Sequence, residues 1–329
     1  MIRRAAEDDY LFADVFDLGH EYKNDTWDLR HIDMVKNLKL VDCDAIRNAG
    51  FKVVVDCINS VGGRVIPMLL RSLGVNDIVE LNCEPTGKFA HTPEPIPANL
   101  TQISDVMKDA GANVGFVVDP DVDRLAIVME NGEMFVEENT LIAIADYVLA
   151  HTPGSTVSNL SSSRGLRDVT RAHGCEYNAA AVGEVNVVAK MKETGAVIGG
   201  EGNGGVIYPE IHYGRDALVG IALFLTLMAK SGKRVSEIKA SLPQYQIAKN
   251  KIELTPDIDV DAILEAVKKT FASEEINDID GVKIDFSDSW VHLRKSNTEP
   301  IIRIYSEAAT MEEADRLAQR IKDVINSLK

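Results

Sequence analysis

The chain has 329 residues, of which 45% are hydrophobic and 26% charged, and this composition is ordinary for a globular protein of two or three domains. Its 51 acidic and 35 basic residues give a formal net charge of −16, which disfavours binding to nucleic acid or to an anionic membrane. No apolar run approaches the roughly 18 residues of a membrane span, and there is no signal-peptide core or zinc-type cysteine spacing. We therefore expect a cytoplasmic protein.

The predicted elements alternate between strand and helix from residue 51 onward. Strands are predicted at 52–56, 77–81 and 114–118, with helices at 64–73 and 101–110 between them. Strand, helix, strand, helix, strand is typical of a parallel α/β unit. The alternation starts again after Glu137 and gives a second α/β unit. From about residue 247 the pattern changes to α+β and ends in a predicted helix.

This organisation predicts the fold class and the domains. We expect two consecutive α/β three-layer domains, with mixed sheets and helices on both faces, followed by a smaller α+β domain. The predicted boundaries are connecting material from a larger protein at 1–40, an α/β domain at 41–150, an α/β domain at 151–246 and an α+β domain at 247–329.

Three aspartates alternate along the loop between two apolar, strand-like runs. Asp119, Asp121 and Asp123 are followed directly by Arg124. Two carboxylates about 4 Å apart repel by about 4 kcal/mol at an effective dielectric constant of about 20, so three of them need a cation. Hard oxygen ligands on a short loop suit Mg²⁺, and an arginine fork matches phosphate. We predict that this aspartate loop is the chemical centre of the protein.

The aspartate loop allows other interpretations. An EF-hand is disfavoured because Arg124 stands where that loop needs glycine and because the flanks are strand-like. A phosphatase with an aspartyl nucleophile is an alternative, since carboxylates can form acyl phosphates. A solvated acidic turn is the remaining interpretation.

A glycine-rich loop at 199–205 follows a predicted strand. It lacks the spacing of a dinucleotide fingerprint and the Lys-Ser/Thr of a P-loop. Glu201 and Asn203 offer a carboxylate acceptor and an amide, a pairing that suits neighbouring sugar hydroxyls. A tight hairpin with polar decoration is an equally good interpretation. Glu184, at another glycine turn, is as well explained by structure as by catalysis.

A cationic segment joins two predicted strands at 294–303. It contains Arg294, Lys295 and Arg303 together with hydroxyl and amide side chains. Hydroxyls, loop N–H groups and a bidentate arginine make a good phosphate site, and such a cluster is informative on an acidic chain. An ordinary polar hairpin turn is the alternative.

Taken together and in this order, these motifs resemble the α-D-phosphohexomutase family of phosphoglucomutases, phosphomannomutases and phosphoglucosamine mutases. The resemblance implies that the three aspartates bind Mg²⁺ and that Arg124 is a catalytic residue facing the active-site phosphate. It implies sugar contacts for Glu201 and Asn203. The phosphate-binding residues that it implies are Arg294, Ser296, Asn297, Thr298 and Arg303.

The implied activity is that of an isomerase of carbohydrate metabolism, an intramolecular phosphotransferase. It would interconvert hexose 1-phosphate and hexose 6-phosphate through a phosphoserine enzyme and a hexose 1,6-bisphosphate, with glucosamine, mannose or glucose as the sugar. The family's first domain carries a Ser-His-Asn-Pro-type loop, which this sequence lacks. Residues 1–40 then correspond to the tail of that domain, and we expect the chain alone to be inactive. The alternatives are a metal-dependent phosphatase and a non-catalytic sugar-phosphate-binding protein.

Overall fold

Three β-sheets organise the chain in the computed structural model, which describes residues 13–94, 96, 99–253, 260–295 and 301–327. The first sheet contains β1 (Lys52–Asp56), β2 (Asp77–Leu81), β3 (Val114–Val118) and β4 (Leu125–Val128). The second contains β5 (Thr156–Asn159), β6 (Tyr177–Ala180), β7 (Ile198–Glu201) and β8 (Gly205–Ile207). The third contains β9 (Gln246–Glu253), β10 (Glu275–Asn277), β11 (Val282–Asp285), β12 (Trp290–Lys295) and β13 (Ile301–Ala308).

The helices pack against these sheets. In the part of the chain that the structure describes they are α1 (Trp27–Lys36), α2 (Cys43–Ala49), α3 (Gly62–Leu73), α4 (Thr101–Ala110), α5 (Glu137–His151), α6 (Gly165–Ala172), α7 (Glu184–Thr194), α8 (Ala217–Ser231), α9 (Val235–Ser241), α10 (Val260–Thr270) and α11 (Met311–Ser327). None of the described helices combines the length and the apolar character that crossing a bilayer requires.

The first two sheets have the same topology. Their strand orders are β2-β1-β3-β4 and β6-β5-β7-β8. In each sheet the first three strands in chain order are parallel, and the last is antiparallel to its neighbour. The aspartate loop therefore joins β3 to β4 at the place where the glycine-rich loop joins β7 to β8. Both loops lie at the carboxyl end of a parallel strand, where α/β folds commonly bind ligands.

Helices α5 and α8 lie between the first two sheets and give them one continuous core. Both helices contact β4 of the first sheet and β8 of the second. The sequence of α8 is apolar on all sides until Thr226, which is typical of a helix that is buried on every face. Phe224 of α8 packs its ring against Phe116 and Phe135, with ring centroids 6.4 and 5.4 Å apart.

The third sheet is antiparallel and has a separate core. Its strand order is β10-β11-β12-β13-β9. On one face, Leu293 and Ile304 pack against α10 and α11. On the other face, His292 accepts or donates a hydrogen bond at 2.9 Å with Ser161 of the second α/β unit. The predicted fold class, two α/β units with mixed sheets followed by an α+β unit, is confirmed, while the residue boundaries of the domains stay predictions.

Candidate functional site

The aspartate loop gathers its three carboxylates at the end of β3. One oxygen from each of Asp119, Asp121 and Asp123 lies within 4.8 Å of the others. Asp119 Oδ1 accepts hydrogen bonds from the backbone N–H groups of Asp123 and Arg124, both at 3.0 Å. Val122 has a φ of 63°, a left-handed conformation that turns the loop back on itself. The predicted convergence of the three aspartates is therefore present.

Burial and like charge both act on this loop. The pKa of Asp119 is raised to about 6, first by burial and then by the neighbouring Asp123 and Asp121 carboxylates, while the N–H of Arg124 opposes the shift. Asp123 Oδ1 is buried and has no hydrogen-bond partner among the described residues. A cation shared by these oxygens would satisfy that atom and relieve the repulsion, so the residues fit Mg²⁺.

Arg124 lies against the same carboxylates. Its Nε is 3.5 Å from Asp119 Oδ2 and 3.8 Å from Asp123 Oδ1. The side chain is 32% exposed, so part of the guanidinium remains accessible from solvent. The structure thus places a guanidinium beside the aspartate loop, as the sequence predicted, and its catalytic role stays a prediction.

Arg215 is the central charged residue of the site, and sequence reasoning missed it. Its guanidinium contacts Asp123, and its Nη1 donates to Glu201 Oε2 at 2.6 Å. Its Nε is 3.6 Å from Glu184 Oε2, and its backbone N–H donates to Glu184 Oε1 at 2.9 Å. One arginine therefore joins the aspartate loop, the glycine-rich loop and the start of α7.

Glu201 and Asn203 are held in place by their neighbours. Glu201 is buried, and its Oε1 accepts a hydrogen bond at 2.8 Å from Asn159 Nδ2 at the end of β5. Asn203 Oδ1 accepts from the N–H of Gly205 at 3.1 Å, and its Nδ2 is 3.5 Å from Glu201 Oε2. These contacts fix the loop geometry, and the predicted sugar contacts of both residues stay predictions.

The aspartate loop and the glycine-rich loop are hydrogen-bonded to each other directly. The carbonyl oxygen of Gly204 accepts from the N–H of Leu125 at 3.0 Å. Gly204 has a φ of +88°, and a Cβ at this position would lie 2.4 Å from the Leu125 carbonyl oxygen. This close approach of two backbones requires glycine.

Arg294, Arg303 and Lys251 form a cationic row across three strands of the third sheet. Arg294 of β12 is the direct register partner of Arg303 of β13, which is in turn the partner of Lys251 of β9. Directly opposite residues share a face, and like charges in that arrangement destabilise a sheet. An anion on this face would offset the repulsion. Ser296, Asn297 and Thr298 lie outside the described residues, so their predicted roles stay predictions.

A chain of contacts links the cationic row to the other loops. Arg294 Nε is 3.9 Å from Asp280 Oδ2, and that oxygen accepts from the N–H of Val182 at 3.0 Å. Val182 precedes the glycine turn that carries Glu184, one of the partners of Arg215. All three sequence motifs are thus connected within one structure.

The fold and the site define a three-sheet α/β protein with an acidic metal-type loop and a separate cationic row. Three family models match it in succession: the phosphoglucomutase/phosphomannomutase alpha/beta/alpha domain II at 30–132, domain III at 137–245 and the C-terminal domain at 250–324. The chain belongs to the α-D-phosphohexomutase family, as the resemblance predicted.

Individual relatives agree with the family models. The chain is 36% identical to a phosphoglucomutase/phosphomannomutase of Thermococcus kodakarensis, over 95% of this chain and 69% of the relative. It is 31% identical to a probable phosphoglucosamine mutase of Methanopyrus kandleri, over 87% of this chain and 64% of the relative. A solved phosphoglucomutase/phosphomannomutase family protein from Burkholderia thailandensis superposes with a TM-score of 0.79 at 27% identity, over 92% of this chain and 64% of the other. The chain thus spans about two thirds of the length of these relatives.

Proposed function

We propose that this chain carries the metal-binding, sugar-binding and distal phosphate-binding parts of a mutase that interconverts hexose 1-phosphates and hexose 6-phosphates. The observation that carries the proposal is the pairing of two separate sites. The acidic loop and the glycine-rich loop are joined through Arg215 and Gly204, while the cationic row offers a second anion site on another sheet. A sugar with phosphoryl chemistry at one end and a fixed phosphate at the other fits this layout.

The aspartate loop would serve the transferring phosphoryl group. Asp119, Asp121 and Asp123 would hold Mg²⁺, which when bound supplies positive charge to the phosphoryl oxygens. Arg124, with its Nε 3.5 Å from Asp119, would add a guanidinium on the same side and orient the phosphoryl oxygens by a bidentate contact.

The other two loops would hold the rest of the substrate. Glu201 and Asn203 would accept and donate hydrogen bonds to sugar hydroxyls, because Glu201 Oε1 keeps acceptor capacity beyond its bond from Asn159. Arg294 and Arg303, with Ser296, Asn297 and Thr298 between them in sequence, would bind the phosphate that is not transferred. A bidentate arginine contact would fix that phosphate while the reacting end changes.

Turnover would require a phosphorylated serine that exchanges its phosphoryl group with a bound hexose 1,6-bisphosphate. The 329 residues contain no Ser-His-Asn-Pro-type motif. We therefore propose that the chain by itself binds hexose phosphates without interconverting them. Measurable conversion of glucose 1-phosphate by the purified chain would contradict this part of the proposal.

Calorimetric titration tests the proposed function. The chain would be titrated in the presence of Mg²⁺ with glucosamine 6-phosphate, mannose 6-phosphate, glucose 6-phosphate and inorganic phosphate. We expect one sugar phosphate to bind more tightly than phosphate, and Arg294→Ala to weaken it by about 10- to 100-fold, since a hydrogen bond to a charged group contributes about 1.5–3 kcal/mol. Arg316→Ala is the matched control, because Arg316 is exposed on α11 and pairs only at the surface with Glu312 among the described residues.

Two outcomes would redirect the assignment. Equal affinity of the wild type and Arg294→Ala for every sugar phosphate would remove the distal phosphate site from the proposal. Release of inorganic phosphate during the titration, abolished by Asp119→Asn, would favour a metal-dependent phosphatase.

A further inference from the structure

Two histidines and a buried aspartate, to which the proposed mutase chemistry assigns no role, meet beside the aspartate loop. Asp216 Oδ2 lies 2.7 Å from His31 Nε2 and 3.0 Å from His212 Nε2. One possible ligand atom from each of the three residues lies within 4.8 Å of the other two. His31 and Asp216 are 185 residues apart in sequence, so only the fold brings this cluster together.

The position of Asp216 is fixed by the start of α8. Its Oδ1 accepts hydrogen bonds from the N–H groups of Leu218 and Val219 at 2.8 and 3.2 Å, which caps the helix. Its other oxygen, Oδ2, is therefore directed at the two imidazoles. The Asp216 side chain is only 6% exposed, and among the ion pairs of the described residues it has no partner other than these histidines. The hydrogen bond to Asp216 raises the pKa of His31, so a protonated imidazole compensates the buried carboxylate, and a divalent cation would take the place of that proton.

The cluster lines a cavity. The cavity has a volume of about 670 Å³, and its other walls include Trp27, Arg64 and Asp121. A metal ion held by the three side chains would thus keep a side open to water or to a small ligand. Protein metal sites with an open position commonly have three protein ligands.

We propose that His31 Nε2, His212 Nε2 and Asp216 Oδ2 form a binding site for a divalent transition-metal ion of the zinc type. Imidazole nitrogen suits Zn²⁺ and its neighbours in the first transition series, whereas Mg²⁺ prefers an all-oxygen shell. Tetrahedral ligands at roughly 2.0–2.1 Å from zinc are about 3.3 Å apart. The observed separations of 2.7 and 3.0 Å need only small side-chain movements to reach that value.

The ion would have two effects on this chain. It would fasten α1 to the N-terminus of α8, because His31 lies on α1 and Asp216 caps α8. The protein would also bind two kinds of metal ion at two different sites, a hard cation on the aspartate loop and a softer one on the histidines. Zinc binding should therefore raise the melting temperature, since a ligand that binds only the folded state stabilises it.

Zinc titration of the full 329-residue chain tests the site. With excess Mg²⁺ present to occupy the aspartate loop, we expect one tightly bound Zn²⁺ per wild-type chain and a zinc-dependent rise in melting temperature. His31→Gln and His212→Gln should each weaken zinc binding by more than about 10-fold and remove that rise, because losing a ligand costs at least as much as losing an outer-shell partner. Mg²⁺ binding should be unchanged in His212→Gln.

Two variants are matched controls. His173 forms a histidine–aspartate pair with Asp146 at 2.7 Å but has no third metal-ligand side chain in the described clusters, so His173→Gln should bind zinc as the wild type does. Asp121→Asn removes a carboxylate of the aspartate loop and should also retain zinc binding.

Three results would overturn the proposal: no zinc binding by the wild type, equal binding by His212→Gln, or loss of zinc binding in Asp121→Asn. His212 is exposed, so its variant should fold normally and carries the test if His31→Gln does not fold. The sugar-phosphate titration uses no zinc, so this inference and the proposed function fail separately.

Discussion

Arg215 is the single residue that contributes most to the charge balance of the site. This side chain is 13% exposed and touches Asp123, Glu184 and Glu201, which come from three different segments. Its own charge compensates carboxylates that otherwise repel one another. Because Arg215 pairs with Asp123, the arginine sets how much negative charge the aspartate loop presents to a metal.

We expect Arg215→Ala to lower the free energy of unfolding by about 3 kcal/mol, since removing one partner leaves buried carboxylates uncompensated. Urea unfolding followed by circular dichroism measures this, and Mg²⁺ should restore part of the loss. Arg316→Ala, a surface substitution, should change stability by less than about 0.5 kcal/mol. An Arg215→Ala chain as stable as the wild type would contradict the assigned role.

The raised pKa of Asp119 predicts how metal binding depends on pH. A carboxyl group with a pKa of about 6 is mostly protonated at about pH 5, and it must lose its proton to bind a cation. We expect the Mg²⁺ affinity measured by calorimetry to be about 10-fold lower at about pH 5 than at about pH 8. Asp121→Asn should bind more weakly and keep a pH dependence whose midpoint is shifted to lower pH, since Asp119 remains but loses a neighbouring negative charge. An affinity that does not change with pH would show that Asp119 is not a ligand.

The site is formed by two loops that occupy equivalent positions in two sheets of the same topology. The aspartate loop and the glycine-rich loop each connect a parallel strand to an antiparallel one, in sheets of the same strand order. The contact between Gly204 and Leu125 fixes the distance between them. The geometry of either loop therefore depends on the other sheet.

Gly204→Ala tests this contact, with Gly195→Ala as the matched control. Both glycines have positive φ, but a Cβ at Gly195 would meet nothing within 4 Å, whereas one at Gly204 would meet the Leu125 backbone. We expect Gly195→Ala to cost about 1–2 kcal/mol from backbone strain alone. Gly204→Ala should lower the free energy of unfolding, measured in urea, by about 1–3 kcal/mol more than Gly195→Ala does. It should also weaken Mg²⁺ binding. Equal costs for the two variants would mean that the two loops are not held together here.

Motifs that are contiguous in sequence were predictable, and contacts set by strand register were not. Asp119, Asp121 and Asp123 stand within five residues, so the sequence alone brings their charges together. Arg215 finds Asp123 across 92 residues through the packing of two sheets, and nothing near Arg215 in sequence indicates this. Lys251 joins the cationic row because β9 pairs with β13 in one particular register.

The two largest hydrophobic cores of the described residues are separate, and smaller clusters lie on the other faces of the first two sheets. The first two sheets share the core around α5 and α8, and the third sheet has its own. Arg164, only 3% exposed, connects them, because its guanidinium donates to the carbonyl oxygens of Ser287, Phe286 and Ser289 at 3.2, 3.2 and 2.7 Å. Arg164 is thus a buried cation at this junction, beside the hydrogen bonds that join Ser161 to His292 and Val182 to Asp280.

We expect Arg164→Ala to make the third sheet unfold at lower urea concentration than the rest of the chain. Trp290 reports on that sheet, since it is fully buried and donates to Glu307 at 2.6 Å, and Trp27→Phe removes the other tryptophan. The unfolding midpoint seen by fluorescence should therefore lie at a lower urea concentration than the midpoint of helix loss seen by circular dichroism. Arg171→Ala, an exposed change on α6, the helix that Arg164 directly precedes, should leave the two transitions together. Coincident transitions in Arg164→Ala would contradict the assigned role.

The shared core has a consequence for synthesis on the ribosome. The first sheet is complete in sequence at Val128, but α8, one of the helices that cover it, ends only at Ser231. At about 5–20 residues per second, the nascent chain waits about 5–20 seconds before α8 can cover its part of the apolar face. We expect a holdase chaperone to bind the partly covered first sheet during that interval, and slow codons between these two positions to increase aggregation of the newly made protein.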